Sequence, residues 1–153
     1  MSRLELKIPP VLLVFLFAGL MALLSSAVED RWQASTGTHA LAALLALAGA
    51  LVAAAGVLQF RRAKTTVNPV NPGSSSSLVS SGVYRVTRNP MYLGFLLLLA
   101  AWAFYLASLA AAALLPLFVL YMNRFQIVPE ERVLARLFGR EFDAYRGRVR
   151  RWI

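Results

Sequence analysis

An uncharged run of 32 residues, from Met91 to Met122, limits the possible folds of this chain more than any other part of its sequence. As one straight helix that rises 1.5 Å per residue, the run would extend about 48 Å, well beyond the roughly 30 Å of a bilayer's hydrocarbon core. We therefore expect it to fold back on itself. Ser108 lies near its middle, so a tight hairpin there would leave two short antiparallel helices.

Two earlier runs are each long enough for one membrane crossing. Ile8–Val28 is uncharged for 21 residues, and His39–Phe60 has no formal charge for 22. The first run is longer than the roughly 7–15 apolar residues of a signal peptide, so we expect it to be retained.

The three runs together predict the fold class. Apolar residues form 59% of the sequence, against roughly 45–50% in soluble domains. We predict an all-α, polytopic membrane protein that forms a single domain over residues 1–153. Its four transmembrane helices are expected at about 8–28, 39–60, 91–107 and 109–127.

The distribution of basic residues supports four crossings, because cytoplasmic flanks of membrane helices are enriched in Lys and Arg. With four crossings, 15 of the 16 Lys and Arg residues fall on one side, and Arg31 alone falls on the other. Three crossings would instead place the eight arginines from Arg124 to Arg151 on the far side. We therefore predict that both termini and the loop 61–90 are cytoplasmic.

The composition also narrows the possible chemistry. The chain has no cysteine and a single histidine, His39, so a thiolate site or a multi-histidine site within one chain is excluded, and we predict no metal. The net charge of +9 flanks apolar runs instead of forming a stripe on a soluble domain. We therefore expect anionic membrane lipids as the counter-charge, and no nucleic acid.

Two polar clusters border the last two predicted helices. Ser81–Gly94 leads into the third helix, and Pro129–Leu134 opens the tail. A hairpin between them returns the chain to the same face, so the two clusters can meet.

Each of the two polar clusters also has a purely structural explanation, since Pro90 suits the first turn of any helix, and Glu130 and Glu131 complement a helix dipole. Neighbouring helical residues diverge by about 100°, so at most one glutamate points straight into a shared pocket, and the other is expected to pair with arginine.

The tail beyond these glutamates has helical periodicity. Apolar residues recur at steps of three and four with arginines between them, which is typical of an amphipathic helix. We predict that segment 128–153 forms a basic amphipathic cytoplasmic helix, interrupted at Gly139, whose apolar face lies on an anionic leaflet. That face consists of Leu134, Phe138, Phe142, Tyr145, Val149 and Trp152.

The order and spacing of these residues resemble the isoprenylcysteine carboxyl methyltransferase and phospholipid methyltransferase superfamily. The resemblance covers roughly residues 65–153, and Lys64-Thr65-Thr66-x-x-Pro69 is also similar to bacterial members. Asn89 stands where many members have histidine, Phe142 where tyrosine is common, and Arg150 where proline often follows the valine. The similar pattern is Gly82-x-Tyr84-Arg85-x-x-Arg88-Asn89-Pro90-x-Tyr92-x-Gly94, about forty residues of apolar hairpin, and then Glu130-Glu131-x-x-Leu134-x-x-x-Phe138-Gly139-x-x-Phe142-x-x-Tyr145-x-x-x-Val149.

The resemblance implies an integral-membrane methyltransferase of a bacterial inner membrane that uses S-adenosyl-L-methionine. The cofactor would be enclosed on the cytoplasmic side by the last helices and segment 128–153. Either glutamate would suit its ammonium group, and Arg88 or a tail arginine its carboxylate. We expect catalytic roles for Glu131 and for Arg146 and Arg150, the last two as groups that orient a carboxylate acceptor. The motif positions assign cofactor binding to Tyr84, Arg88, Asn89, Pro90, Tyr92, Gly94, Glu130 and Glu131.

The acceptor is expected to be lipophilic and to enter from the bilayer, because a pocket between helices at membrane level opens to lipid. It would be an isoprenylcysteine-type carboxylate or a lipid, and an amine acceptor would need a Glu or Tyr base. Two other interpretations stay open. The chain can be a non-catalytic adaptor or ligand-binding membrane protein, or a small exporter, although the predicted helices contain no titratable carboxylate to drive proton-coupled transport.

Overall fold

The structure is a computed structural model that describes residues 5–29, 31–63 and 77–153. No strand occurs in these ranges, which confirms the all-α prediction for them. Residues 64–76, which include the Lys64–Pro69 part of the motif and much of the predicted loop 61–90, lie outside the described ranges. The helices are α1 (Pro10–Ala27), α2 (Thr36–Arg62), α3 (Pro90–Leu106), α4 (Leu109–Ala112), α5 (Leu114–Met122) and α6 (Val128–Arg148), with a 3-10 turn at Gly82–Arg85 and a π-helical turn at Asn123–Ile127.

Within the described residues, three helical stretches are long and apolar enough to cross a membrane, namely α1, α2 and the path from Leu109 to Arg148 that joins α4, α5 and α6. α3 is a shorter apolar helix of 17 residues. The helices are therefore compatible with a membrane protein, while the number of four crossings and their bounds stay predictions. α2 begins earlier than the expected crossing because Ser35 and Thr38 form a reciprocal capping box.

The long uncharged run folds back at Ala107 and Ser108. Ala107 ends α3 in a left-handed conformation, with φ of 50°. Ser108 caps α4, because its Oγ accepts a hydrogen bond from the Ala111 amide at 3.2 Å. The Trp32 amide donates to the Ala107 carbonyl at 3.0 Å, so the loop after α1 is fastened to this turn. The turn lies where the length of the run predicts it.

The helix expected at 109–127 is divided in the structure into α4, α5 and the π-helical turn. Proline explains both divisions, because it has no amide hydrogen and its ring opposes the carbonyl four residues earlier. Pro116 stands four residues after Ala112, where α4 ends. Pro129 stands four residues after Phe125, inside the π-helical turn. Length and charge, from which one helix at 109–127 is predicted, do not indicate these breaks.

α3 contacts α1, α2 and α5, and so occupies the centre of the bundle. Its contact with α2 depends on glycine, because a Cβ at Gly94 would lie 2.6 Å from the carbonyl oxygen of Gly49. Small residues allow such close helix packing inside membranes. On the other side of α3, Trp102 Nε1 donates to the Ala18 carbonyl of α1 at 3.1 Å.

α6 is broken at Gly139, as predicted, since its φ of 48° and ψ of −121° are not helical. The prediction that its apolar face lies on a leaflet is wrong. Phe142 and Tyr145 are buried against Val79 and Tyr84, so the protein itself covers this face. Periodicity shows that a helix face is apolar, but it does not show what covers that face.

Candidate functional site

The two polar clusters lie together at one end of the bundle. α3 begins at Pro90, and α6 carries Glu130 and Glu131 in its first turn. Because the chain folds back between these helices, their starts face each other. Arg88 Nη2 donates to Glu131 Oε1 at 2.5 Å, and the Tyr92 hydroxyl donates to Glu130.

Glu131 is held by two arginines. Besides Arg88, Arg151 donates from Nε to Oε1 at 3.0 Å and from Nη2 to Oε2 at 2.7 Å, in a two-pronged contact. Burial opposes ionisation of the Glu131 carboxyl, but the hydrogen bonds and charges of Arg151 and Arg88 outweigh it and hold its pKa below the ordinary value. Glu131 is therefore an ionised carboxylate that keeps two cations together.

Glu130 has the opposite electrostatic environment. Burial raises the pKa of its carboxyl to about 8, although the hydrogen bond from Tyr92 lowers it, and the negative charge of Glu131 raises it further. Glu130 contacts the neutral hydroxyl of Tyr92, whereas Glu131 contacts two guanidinium groups. A carboxyl with a pKa near neutrality can bind a cation or exchange a proton at physiological pH.

Arg88 is held mainly by the tail. Its Nη1 atom donates to the carbonyls of Arg146 at 3.1 Å and Val149 at 2.5 Å, and its backbone amide donates to the Arg150 carbonyl at 2.9 Å. Its side chain is 9% exposed. Its Nε atom is buried and has no hydrogen-bond partner in the described ranges. Because an unsatisfied buried donor costs about 1–3 kcal/mol, an acceptor atom of a ligand would be stabilising here.

The loop before α3 also fastens the end of the chain. The Thr87 hydroxyl and the Asn89 side-chain amide each donate to the Arg151 carbonyl at 3.0 Å. Trp152 Nε1 donates to Asn123 Oδ1 at 3.1 Å. Asn89, which stands where similar proteins often have histidine, therefore holds the tail beside the glutamates. Its role in cofactor binding stays a prediction.

Tyr84 lies behind this network. The Tyr145 hydroxyl donates to the Tyr84 carbonyl at 2.8 Å, and the Tyr84 ring meets the edge of Phe60 of α2 at 5.4 Å. Burial raises the pKa of both tyrosines, that of Tyr145 to about 12 even though the charge of Arg88 lowers it. Both phenols are therefore neutral at physiological pH. Through its contacts with Phe60 and Tyr145, Tyr84 connects the loop before α3 to α2 and α6.

Pro90 and Gly94 take part in packing against α2. A Cβ at Gly56 would lie 3.2 Å from Pro90 Cγ, and Gly94 meets the backbone of Gly49. These contacts set the distance between the two helices and so the position of Arg88 and Tyr92. The roles of Pro90 and Gly94 in cofactor binding stay predictions.

Arg146 and Arg150, which we expected to orient an acceptor, contribute backbone carbonyls to this network. The Arg146 side chain is 53% exposed and pairs with Asp143 at 3.1 Å, and Arg150 is exposed. The guanidinium that reaches Glu131 belongs to Arg151, which sequence reasoning missed. Eight arginines share the tail, so no local pattern distinguishes this one. The orienting roles of Arg146 and Arg150 stay predictions.

Sequence reasoning also missed Glu5, whose carboxylate pairs with Arg124 and Arg132 at 2.9 Å each. Its side chain is only 2% exposed. Close to Lys7 near the start of the chain, it has the sequence context of an ordinary surface charge. Across the described ranges, no group of three or more His, Asp or Glu side chains is placed to hold a metal ion.

Known proteins are similar to the part of the chain that carries the candidate site. A family model described as phospholipid methyltransferase matches residues 37–141, a range that contains the loop before α3, the hairpin and both glutamates. An uncharacterized protein of Haemophilus influenzae is 43% identical over 63 residues, which are 41% of this chain and the full length of that relative. No solved structure matches this chain.

Proposed function

We propose that this chain, which belongs to the phospholipid methyltransferase family, transfers a methyl group from S-adenosyl-L-methionine to a lipophilic acceptor. The family is one of membrane methyltransferases, and its superfamily is the one that the sequence motifs resemble. The observation that carries the proposal is the contact of Tyr92 with Glu130 and of Arg88 with Glu131 at one end of the bundle.

The residues at this end suit the two charged groups of the cofactor's methionine moiety. Glu130 is better suited than Glu131 to the ammonium group, because both oxygens of Glu131 already accept hydrogen bonds from arginine. The unused Nε–H of Arg88 and the guanidinium of Arg151 suit the carboxylate. Bound S-adenosylmethionine would supply an electrophilic methyl group on a sulfonium, whose transfer depends chiefly on alignment.

The chain's own task is to hold these groups in a fixed geometry. Glu131 keeps two cationic side chains together, and the Tyr92 hydroxyl orients Glu130. Arg146 or Arg150, both exposed, would orient a carboxylate acceptor that arrives from the bilayer. An amine acceptor would instead need a carboxylate or phenolate to take its proton.

Titration of S-adenosylmethionine and of its demethylated product into the purified protein tests the proposal. We expect binding in the micromolar range, both in detergent and in lipid nanodiscs. Glu130→Gln should abolish that binding, whereas Glu141→Gln, which removes an exposed carboxylate elsewhere on α6, should leave it unchanged. If the wild-type protein releases no heat of binding in either medium, the enzyme interpretation fails.

Incubation with methyl-labelled cofactor and total bacterial membrane lipids tests the acceptor. We expect the label in a lipid-soluble product. Alkali releases methanol from a methyl ester but leaves an N-methyl group in place, so alkaline hydrolysis of the product distinguishes the two kinds of acceptor. Cofactor binding without a labelled product would favour the non-catalytic, ligand-binding interpretation.

The absence of cysteine makes the orientation testable by labelling single introduced thiols. Gln33, after α1, and Ala144, on α6, are both exposed. With a membrane-impermeant maleimide applied to intact bacteria, we expect Gln33→Cys to react at once and Ala144→Cys only after lysis. Reaction of Ala144→Cys in intact cells would put the site outside the cytoplasm, where S-adenosylmethionine is not supplied, and would contradict the proposal.

A further inference from the structure

The segment before α1 reaches across to the start of α6. Glu5 Oε1 pairs with Arg124 Nη1 and Glu5 Oε2 with Arg132 Nη2, each at 2.9 Å. The Glu5 side chain is 2% exposed, whereas the two arginine side chains are 55% and 46% exposed. One buried carboxylate therefore joins two arginines that lie two helical turns apart in the sequence.

Two further hydrogen bonds join the same parts of the chain. The Leu6 amide donates to the Phe125 carbonyl at 3.1 Å, and Gln126 Nε2 donates to the Ile8 carbonyl at 2.6 Å. Pro129 has no amide hydrogen to offer the Phe125 carbonyl, and Leu6 donates to it instead. The segment thus supports the irregular, π-helical part of the path, a kind of backbone irregularity that is frequent at functional sites.

These contacts lie on both sides of the two glutamates of the site, because residues 124–126 precede them and Arg132 directly follows Glu131. We propose that Glu5 is a positioning residue for the candidate active site: it fixes the turn from which Glu130 and Glu131 reach their partners on α3 and the loop before it. The inference rests on the proposed function, since the glutamates are assigned there to binding S-adenosylmethionine.

A positioning role differs measurably from a merely structural one. Without the carboxylate, Arg124 and Arg132 lose the group that joins them, and the turn between them can shift. A displacement of about 1 Å in such a site can cost roughly 100-fold in rate. A structural role would lower the fraction of protein that folds, but each folded molecule would keep wild-type affinity.

The test compares Glu5→Gln with Glu141→Gln, since each variant replaces one carboxylate by an amide of the same shape. The full-length proteins are placed in lipid nanodiscs, and the Kd for S-adenosylmethionine is measured per folded molecule. Infrared pH titration of the protonated Glu130 carboxyl, identified by its absence in Glu130→Gln, is the second measurement. For Glu5→Gln we expect a Kd at least tenfold weaker and a displaced Glu130 titration midpoint, and for Glu141→Gln no change in either.

Folded Glu5→Gln with wild-type affinity and an unchanged Glu130 titration would overturn the inference. If Glu5→Gln does not fold, Glu5→Asp, which keeps the charge but shortens its reach by one methylene group, is judged by the same two measurements. If the wild-type protein does not bind S-adenosylmethionine, the proposed function fails by itself. In that case the infrared titration alone tests the positioning role of Glu5. A displaced Glu130 midpoint supports this role, and an unchanged midpoint overturns it.

Discussion

At the end of the bundle where α3 turns into α4, the chain is held by backbone groups and a serine cap, whereas charged side chains hold the opposite end. At the first end, the cap of Ser108 reaches only to Ala111, three residues on. At the second, Glu131 bonds to Arg88 and Arg151, which lie 43 and 20 positions away. Backbone contacts and a cap thus hold one end of the bundle, whereas ion pairs between separate segments form the candidate site at the other.

Within the charged end, the adjacent residues Glu130 and Glu131 lie in opposite electrostatic environments. Burial raises the pKa of Glu130, whereas hydrogen bonds and charge from arginine overcome burial and lower the pKa of Glu131. Adjacent positions on a helix point about 100° apart, so each carboxylate meets its own surroundings. The pair therefore combines a carboxyl whose pKa is lowered with one whose pKa is raised to about 8.

The largest expected effect comes from breaking the charged end alone. Arg88→Ala and Glu131→Gln should each weaken S-adenosylmethionine binding by about 100-fold or more, because the first removes and the second releases a guanidinium assigned to the cofactor's carboxylate, and truncating one partner of a buried, hydrogen-bonded charge pair costs roughly 2–5 kcal/mol. Titration in detergent measures the affinity. Circular dichroism and membrane fractionation should show wild-type helix content and insertion. Loss of insertion in both variants would show that this end is structural, and the separation of the two ends would fail.

A second prediction uses the pH dependence of stability. The folded-state pKa of Glu130, about 8, lies above the ordinary value of 4.5, so between these values the folded state keeps a proton that the unfolded state has lost. Stability should therefore fall as pH rises through this window, by at most about 1.4 kcal/mol per pH unit. Thermal unfolding in detergent measures the fall. Glu130→Gln, which is neutral at every pH, should be less pH-dependent there, and an equal slope in the variant would contradict the assignment.

The apolar part of the bundle should respond to volume and not to charge. Gly94→Ala should destabilise the protein by about 1–3 kcal/mol, because its Cβ would overlap the backbone of Gly49 and the helices would have to separate. Gly19→Ala is the matched control, since a Cβ at Gly19 of α1 meets nothing within 4 Å. The midpoints of thermal unfolding measure both. Equal midpoints for the two variants would mean that the close approach of α2 and α3 is not needed for stability.

The smallest expected effects are those of Arg151→Ala and Arg146→Ala. The contact of Arg151 with Glu131 was found in the structure, whereas a role for Arg146 was predicted from the sequence. Arg151→Ala should weaken cofactor binding by about tenfold, since it removes a two-pronged contact with Glu131 that is partly open to solvent. Arg146→Ala should change the free energy of unfolding by less than about 1 kcal/mol, because its ion pair with Asp143 is exposed. Any effect of Arg146→Ala on the rate of transfer, with cofactor affinity unchanged, would support its expected role toward the acceptor.

The residues differ in how far the sequence alone could assign them. The hairpin near Ser108 and the break at Gly139 were predictable, because helix length and glycine conformation are local properties. The residues that pack against the apolar face of α6, and the partners of Glu5 and Glu131, could not be predicted. Each of these depends on contacts between segments far apart in sequence, and several equivalent arginines compete for the same acids.

The amino-acid pattern alone predicts a helical chain, uncharged runs that suit a membrane, and the return of two polar clusters to one face. Bilayer thickness and the cost of burying charge impose these features on any chain with this pattern. The contacts of the folded chain were needed to show which glutamate is held by Arg88 and Arg151 and which one contacts Tyr92. That choice depends on distances of about 3 Å between side chains from separate segments of the chain, and helical periodicity does not fix distances on that scale.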